Sequence, residues 1–214
     1  MHGRAVPRAG HDLFDEFADA LAGWGWDVAL LQEVPPWWGR ALGKRLDAAA
    51  RVVLTSRNAL LPLRRAVAVR WPDVIKSNGG GANAILVRSP ARVREHRTRR
   101  LCWLPERRWV HAVRLGDGVW VGNLHATVHD DAAARRDGAF AAALALQWAA
   151  GAPVILGGDF NVRRLALDGF EYAGGHDVDL VFVSHGLRAA GEVKVLERGR
   201  LSDHAPVALD LAIA

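Results

Sequence analysis

The chain has 214 residues, half of them hydrophobic, with a formal charge of +5 and a sequence pI of about 10.3. That content suits a single domain spanning 1–214: no linker-like run or internal repeat divides it, and no apolar stretch reaches the roughly 18 residues of a membrane span. The single cysteine, Cys102, excludes an internal disulfide framework and fits a reducing cytoplasm, and Met1-His2-Gly3-Arg4 lacks the apolar core of a secretory signal.

Taken in chain order, Asp12 to Trp24 places Leu13, Phe14, Phe17, Leu21 and Trp24 at three- and four-residue spacing, which predicts an amphipathic helix stopped by Gly23 and Gly25. Val28 to Leu31 reads as a short buried strand ending at Glu33. Pro35 and Pro36 break it, and Trp37 to Ala50 reads as a helix. Arg51 to Thr55 suggests a strand, Asn78-Gly79-Gly80-Gly81 a loop, and Ala84 to Val87 a further strand. From Val93 to Leu124 the pattern is one of consecutive strands, with Trp109–Leu115 and Val119–Leu124 joined by the hairpin signal Gly116-Asp117-Gly118. Asp131 to Ala150 is an Ala-rich helix that stops at Gly151. The buried strand Val154–Leu156 then runs into Gly157-Gly158-Asp159, and strands at Leu180–Val183, Val193–Leu196 and Pro206–Ile213 finish the chain. Mixed strands with helices at intervals argue for an α/β protein with layered sheets.

Much of the positive charge lies in Arg92, Arg94, Arg97, Arg99, Arg100, Arg107 and Arg108, with His96 among them. A basic surface attracts polyanions or anionic membranes, yet alternating arginines also suit the solvated face of an edge strand. The stretch therefore favours an anionic substrate only mildly. Nine tryptophans against one tyrosine are expected as core and groove-wall residues.

Polar clusters stand at the ends of several of these apolar runs, and strand ends from one sheet can converge on one point. Glu33, beside Gln32, offers a carboxylate of the kind magnesium takes, usually one or two with water and substrate phosphate completing the shell. Alone, it would pass as a surface residue ending a strand. In Gly157-Gly158-Asp159-Phe160-Asn161 the glycines permit a tight turn, and Asp159 and Asn161 share a face if the segment is extended. One of the pair can hold an attacking water and the other donate to a transition-state oxyanion. His125 ends its strand with Asn123 on the same face; His129 and Asp130 are not separable from a helix start. In Ser202-Asp203-His204 neighbouring side chains point apart, so Asp203 can face a metal while His204 faces the reacting water. A histidine base needs a carboxylate to fix its tautomer; Asp179 is the candidate, with Asp177 as the fallback.

Taken together, Gln32-Glu33, Ala82-Asn83-Ala84-Ile85-Leu86, Asn123-Leu124-His125, Gly158-Asp159-Phe160-Asn161, Asp179 and Ser202-Asp203-His204 resemble, in order, the recurring marks of the endonuclease/exonuclease/phosphatase superfamily. The resemblance covers essentially the whole chain. It implies a deoxyribonuclease I-like four-layered α/β sandwich, two packed mixed β-sheets flanked by helices. It implies Mg²⁺ or Mn²⁺ held by Glu33 with Asp203 nearby, Asp159 orienting the water and Asn161 supporting the transition state. His204 paired with Asp179 would act as base or phosphate-binding cation, His125 would bind or protonate a phosphate oxygen, and Asn83 and Asn123 would contact substrate. A histidine at position 125 is similar to the pancreatic deoxyribonuclease, sphingomyelinase and inositol-phosphatase branches, whereas the abasic-site repair branch typically has tyrosine there. One departure stands out. Family members usually open with a strand bearing an asparagine, and Met1 to Pro7 holds none, which reads as a trimmed start or a missing strand, trimming being favoured.

The expected function is metal-dependent hydrolysis of a phosphodiester, nucleic acid favoured, or of a phosphomonoester. The alternative is a non-catalytic phosphate- or nucleic-acid-binding domain crippled by loss of the first strand. A serine hydrolase using Ser202 is a poor third reading, since the Gly-x-Ser-x-Gly elbow is absent and Glu33, Asp159 and Asn161 would have no task.

Overall fold

The computed structural model describes residues 11–55, 60–71, 81–89, 91–103 and 107–214. The expected loop at 78–80 and the opening segment before residue 11 lie outside these. The chain divides into two compact units, one formed by 1–90 with 197–205, the other by 91–196 with 206–214.

In the first unit, α1 (Phe14–Gly23) buries Phe17, Ala18 and Leu21, with Asp15 and Glu16 in its first turn where the helix dipole favours acids. β1 (Val28–Val34), α2 (Trp38–Arg45), β2 (Ala48–Leu54), α3 (Leu61–Arg70) and β3 (Ala82–Arg88) follow. The sheet order is β1-β3-β2, antiparallel throughout. β3 is central and its residues Ala82 to Val87 are all buried. Phe17, Leu21, Leu31, Val34, Trp38, Leu42 and Leu86 form the core, and Leu201 from the returning segment packs against it.

The helix expected to run from Trp37 to Ala50 stops at Arg45. Asp47 turns the chain with φ 49°, and Ala48, Ala49 and Ala50 pair with Arg88, Val87 and Leu86. Alanine's helix preference yields here to strand pairing, because propensity is a weaker term than the ladder and packing it competes with. The helix α3 was not expected; Pro62 at its first turn suits a helix start, but its sequence has little apolar periodicity.

The second unit is built on a six-stranded sheet. Its strands and one helix come in the order β4 (Val93–Cys102), β5 (Arg108–Leu115), β6 (Trp120–His125), α4 (Asp131–Ala149), β7 (Val154–Asp159), β8 (Glu171–His176) and β9 (Asp179–Val183). Across the sheet the order is β4-β5-β6-β7-β9-β8. Among the described strands of this sheet only β6 and β7 run parallel, and α4 is the crossover that parallel pairing requires. Asp130 is its N-cap, accepting from the Ala133 N–H at 2.9 Å. The small residues Ala134, Ala141, Ala142 and Ala145 let α4 lie close on the sheet, over Val110, Leu124, Leu156 and Phe182.

The remaining strands form two short pairs, β10 (Leu187–Ala189) with β13 (Leu211–Ile213) and β11 (Lys194–Val195) with β12 (Val207–Ala208). The single strand expected over Pro206–Ile213 is thus two. β8 was not expected because Gly174 and Gly175 argue against a strand. In the structure Gly175 is needed there, since a Cβ would lie 2.4 Å from the Asp179 carbonyl oxygen across the pairing. The tryptophans do not all line cores: Trp38 and Trp120 are buried, whereas Trp71 and Trp103 are exposed.

Candidate active site

In the second unit, strand register gathers four predicted residues at one end of the sheet. Parallel pairing sets His125 beside Asp159, and antiparallel pairing sets Asp159 beside Asp179. His125 Nε2 lies 3.4 Å from Asp159 Oδ2, and both side chains are buried. Gly158 makes the approach possible: its φ is 141° and a Cβ would sit 2.1 Å from the Leu124 carbonyl oxygen.

Asn161 is placed differently from the extended arrangement expected. Its φ is 53°, so the segment turns after Asp159 rather than running straight. The turn is fixed by side chains, because Asp159 Oδ1 accepts the Asn161 N–H at 2.8 Å and Asn161 Nδ2 donates to the Ala126 carbonyl at 3.0 Å. The result still brings Asn161 to the residue following His125. Asp179 opens β9 as expected, while the fallback Asp177 is occupied by Arg163, whose Nε donates to Oδ1 at 2.5 Å.

Asn123 shares the His125 face and is fully buried, its Nδ2 3.2 Å from His111 Nε2. His111 Nδ1 is in turn 3.2 Å from His96 Nε2. Burial, with the neighbouring His96 as a lesser cause, pushes the His111 pKa down to about 3, so the ring is neutral at ordinary pH. Asn123 thus belongs to a buried polar line running across β4, β5 and β6. Sequence reasoning missed His111, although a histidine inside the apolar run Trp109–Val113 is itself a signal. It missed Asp137 too, a carboxylate on the buried stripe of α4. Its Oδ2 accepts both the Thr127 N–H at 2.8 Å and the Thr127 hydroxyl at 2.7 Å, pinning the loop two residues after His125.

In the first unit, Glu33 sits in a β-bulge. Leu31 pairs with Ala84 and Val34 with Ala82, so Gln32 and Glu33 together oppose the single residue Asn83. Glu33 adopts φ 52°, a conformation non-glycine residues rarely hold. Asn83 is fully buried, and neither its Oδ1 nor its Nδ2 has a hydrogen-bond partner among the described residues. The returning segment 197–205 places Ser202 in a buried turn, its Oγ accepting the His204 N–H at 3.2 Å. Asp203 is exposed, with its carbonyl oxygen accepting from Arg198.

The profile of the Endonuclease/Exonuclease/phosphatase family matches residues 3–204. The chain belongs to that family. Solved structures agree on the fold. A family member from Bacteroides vulgatus superposes with a TM-score of 0.71 at 15% identity, covering 94% of this chain and 90% of the other. Truncated TDP2 from Caenorhabditis elegans gives 0.67 at 18%, and mannosyl-6-phosphatase Bt3783 from Bacteroides thetaiotaomicron 0.66 at 16%, each covering 94% of this chain and 90% of its own. No curated protein matches the sequence. The fold class is therefore the deoxyribonuclease I-like α/β class that the sequence motifs implied.

Family membership implies a divalent cation, and the donor set here fits one. Among the described residues no three His, Cys, Asp or Glu side chains cluster into a ready cage. A bulged, half-buried glutamate opposite a buried asparagine with unsatisfied polar atoms offers oxygen donors of the kind a hard divalent cation takes. Glu33 would hold the ion, with Asp203 as the second carboxylate. No helix among the described residues is long and apolar enough to cross a membrane.

Proposed function

We propose that the chain is a magnesium- or manganese-dependent phosphoric ester hydrolase, one catalytic domain over 1–214, acting on a phosphodiester, nucleic acid first, or on a phosphomonoester. The observation that supports it most is the buried His125–Asp159 pair at adjacent strand ends, with Asn161 turned in beside it. That arrangement leaves specific atoms for chemistry. Asp159 accepts the Asn161 N–H at Oδ1, and its carboxylate, fixed in place beside His125, would orient the attacking water. Asn161 Nδ2 has two hydrogens; one goes to Ala126, and the other can donate to an oxygen that gains charge in the transition state.

His125 would donate to a phosphate oxygen. His204 would take the proton of the attacking water, with Asp179 fixing its tautomer, and Asn123 and Asn83 would contact substrate. The cation held by Glu33 and Asp203 would supply charge neutralisation at the phosphoryl oxygens. The positive net charge favours a polyanionic ester, and the phosphatase among the similar structures keeps monoesters within the proposal. A single cysteine in 214 residues suits a reducing compartment, and the cytoplasm is the one proposed.

The test is turnover of bis-(p-nitrophenyl) phosphate and p-nitrophenyl phosphate in magnesium, by the full chain and by His204→Ala. Release that the substitution abolishes supports the hydrolase, and the preferred ester separates diesterase from monoesterase. Salt-sensitive DNA binding with no release from either ester would instead favour a binding domain.

A further inference from the structure

The arginine-rich edge of the six-stranded sheet has no task in the proposed chemistry. Residues 92–108 hold seven arginines against two glutamates, an excess equal to the whole formal charge of +5. Arg94, Arg97, Arg99 and Arg100 lie on β4, with Arg92 just before it, and β4 pairs with β5 alone among the described strands and so leaves one edge open. Arg92, Arg94, Arg97 and Arg99 are exposed there, whereas Arg108 is buried. Glu95 offsets part of this charge, bonding Arg97 at 3.0 Å and approaching Arg114 at 4.0 Å.

Just past the end of β4 the composition changes from charge alone to charge on an aromatic. The Arg100 guanidinium lies 3.2 Å from the centroid of the Trp103 ring, and that of Arg107 lies 5.4 Å from the same ring. Trp103 nonetheless keeps 59% of its surface exposed. An exposed indole with guanidiniums close to its ring contributes little to stability, because cation–π contacts at exposed sites yield only about 0.5–1 kcal/mol. It does resemble the equipment that binds single strands: a flat π surface for a base, guanidinium planes that also stack, and cations for the flanking phosphates. Alternate residues along a strand are about 6.6 Å apart, commensurate with successive phosphates of an extended chain.

We propose that the β4 edge with the Arg100–Trp103–Arg107 stack is a docking surface for single-stranded nucleic acid, placed outside the catalytic residues. A membrane surface fits less well, since one exposed indole among arginines is far less apolar surface than an interfacial helix buries. The proposal rests on the hydrolase reading only for its effect on turnover; binding itself does not.

Binding of a labelled oligothymidylate is measured by fluorescence anisotropy in EDTA, where metal-dependent hydrolysis cannot intervene, across a salt series. Trp103→Ala is expected to bind about tenfold more weakly, Trp103→Phe nearly as well as the parent. Arg100→Gln with Arg107→Gln should lower the salt slope by about one to two, while Arg188→Gln, an exposed arginine elsewhere in the same unit, should change neither. Equal affinity of Trp103→Ala and the parent would overturn the proposal. So would stronger retention on phosphatidylserine vesicles than on the oligonucleotide. With magnesium present, Trp103→Ala should leave p-nitrophenyl ester turnover intact and raise KM for an oligonucleotide. If neither ester is turned over, the hydrolase reading fails while the EDTA binding result still decides this one.

Discussion

Acidification should destabilise this protein through one residue in particular. His111 is fully buried in β5, with both ring nitrogens within 3.2 Å of a partner, and burial lowers its pKa from 6.5 to about 3. Above the unfolded value the ring is neutral in both states, and pH has no purchase on it. As pH falls through 6.5 the unfolded chain takes up a proton here that the folded chain refuses, so stability declines until the folded value near 3 is reached. Each pH unit in that window costs at most about 1.4 kcal/mol, which makes the loss about 2 kcal/mol by pH 5. Urea unfolding of the parent and His111→Gln at neutral pH and at about pH 5 isolates the effect, because other titrating groups are common to both. The parent should lose about 2 kcal/mol more than the variant over that interval. Parallel losses in the two proteins would refute the assignment.

Gly158→Ala should cost at least about 3 kcal/mol, since the added methyl meets the Leu124 carbonyl 2.1 Å away in a backbone with φ 141°; an unchanged urea midpoint would contradict this. Asp137→Ala strands the buried Thr127 N–H and hydroxyl and should lower stability by about 2 kcal/mol, with Asp137→Asn losing less because it keeps one acceptor. Asp159→Asn should reduce turnover on the order of 10²–10⁴-fold while leaving the unfolding free energy within about 1 kcal/mol of the parent. Glu33→Gln should weaken the metal requirement's midpoint more than tenfold, read as activity against magnesium concentration, with KM at saturating metal little changed.

Much of this architecture was legible because chemistry and periodicity coincided. The strands ending at Glu33, His125 and Asp159 are apolar runs cut off by polar residues, and the structure extends each strand to include that residue. The helix α4 was legible from end to end because Asp130 caps it and Ala150 and Gly151 close it in left-handed conformations. Failures came where local preference lost to pairing partners distant in sequence. Ala48–Ala50 became strand because β3 lies alongside, and Gly174–Gly175 became strand because β9 pairs with them, its backbone too close to Gly175 for a side chain. The polar line through His111 and the Asp137 clamp depend on contacts 12 and 10 residues apart in sequence, which no local pattern encodes. The bulge at Glu33 is equally invisible, since it exists only in the register of β1 against β3.

The central claim is that this chain hydrolyses phosphate esters with a divalent cation and its own carboxylates. The most direct measurement is release of p-nitrophenol from bis-(p-nitrophenyl) phosphate by the full chain, titrated with magnesium or manganese, beside Asp159→Asn and an EDTA control. Release that follows the metal, stops with EDTA and falls at least about a hundredfold in Asp159→Asn is the predicted result. Release that persists in EDTA, or that Asp159→Asn leaves unchanged, would contradict the account.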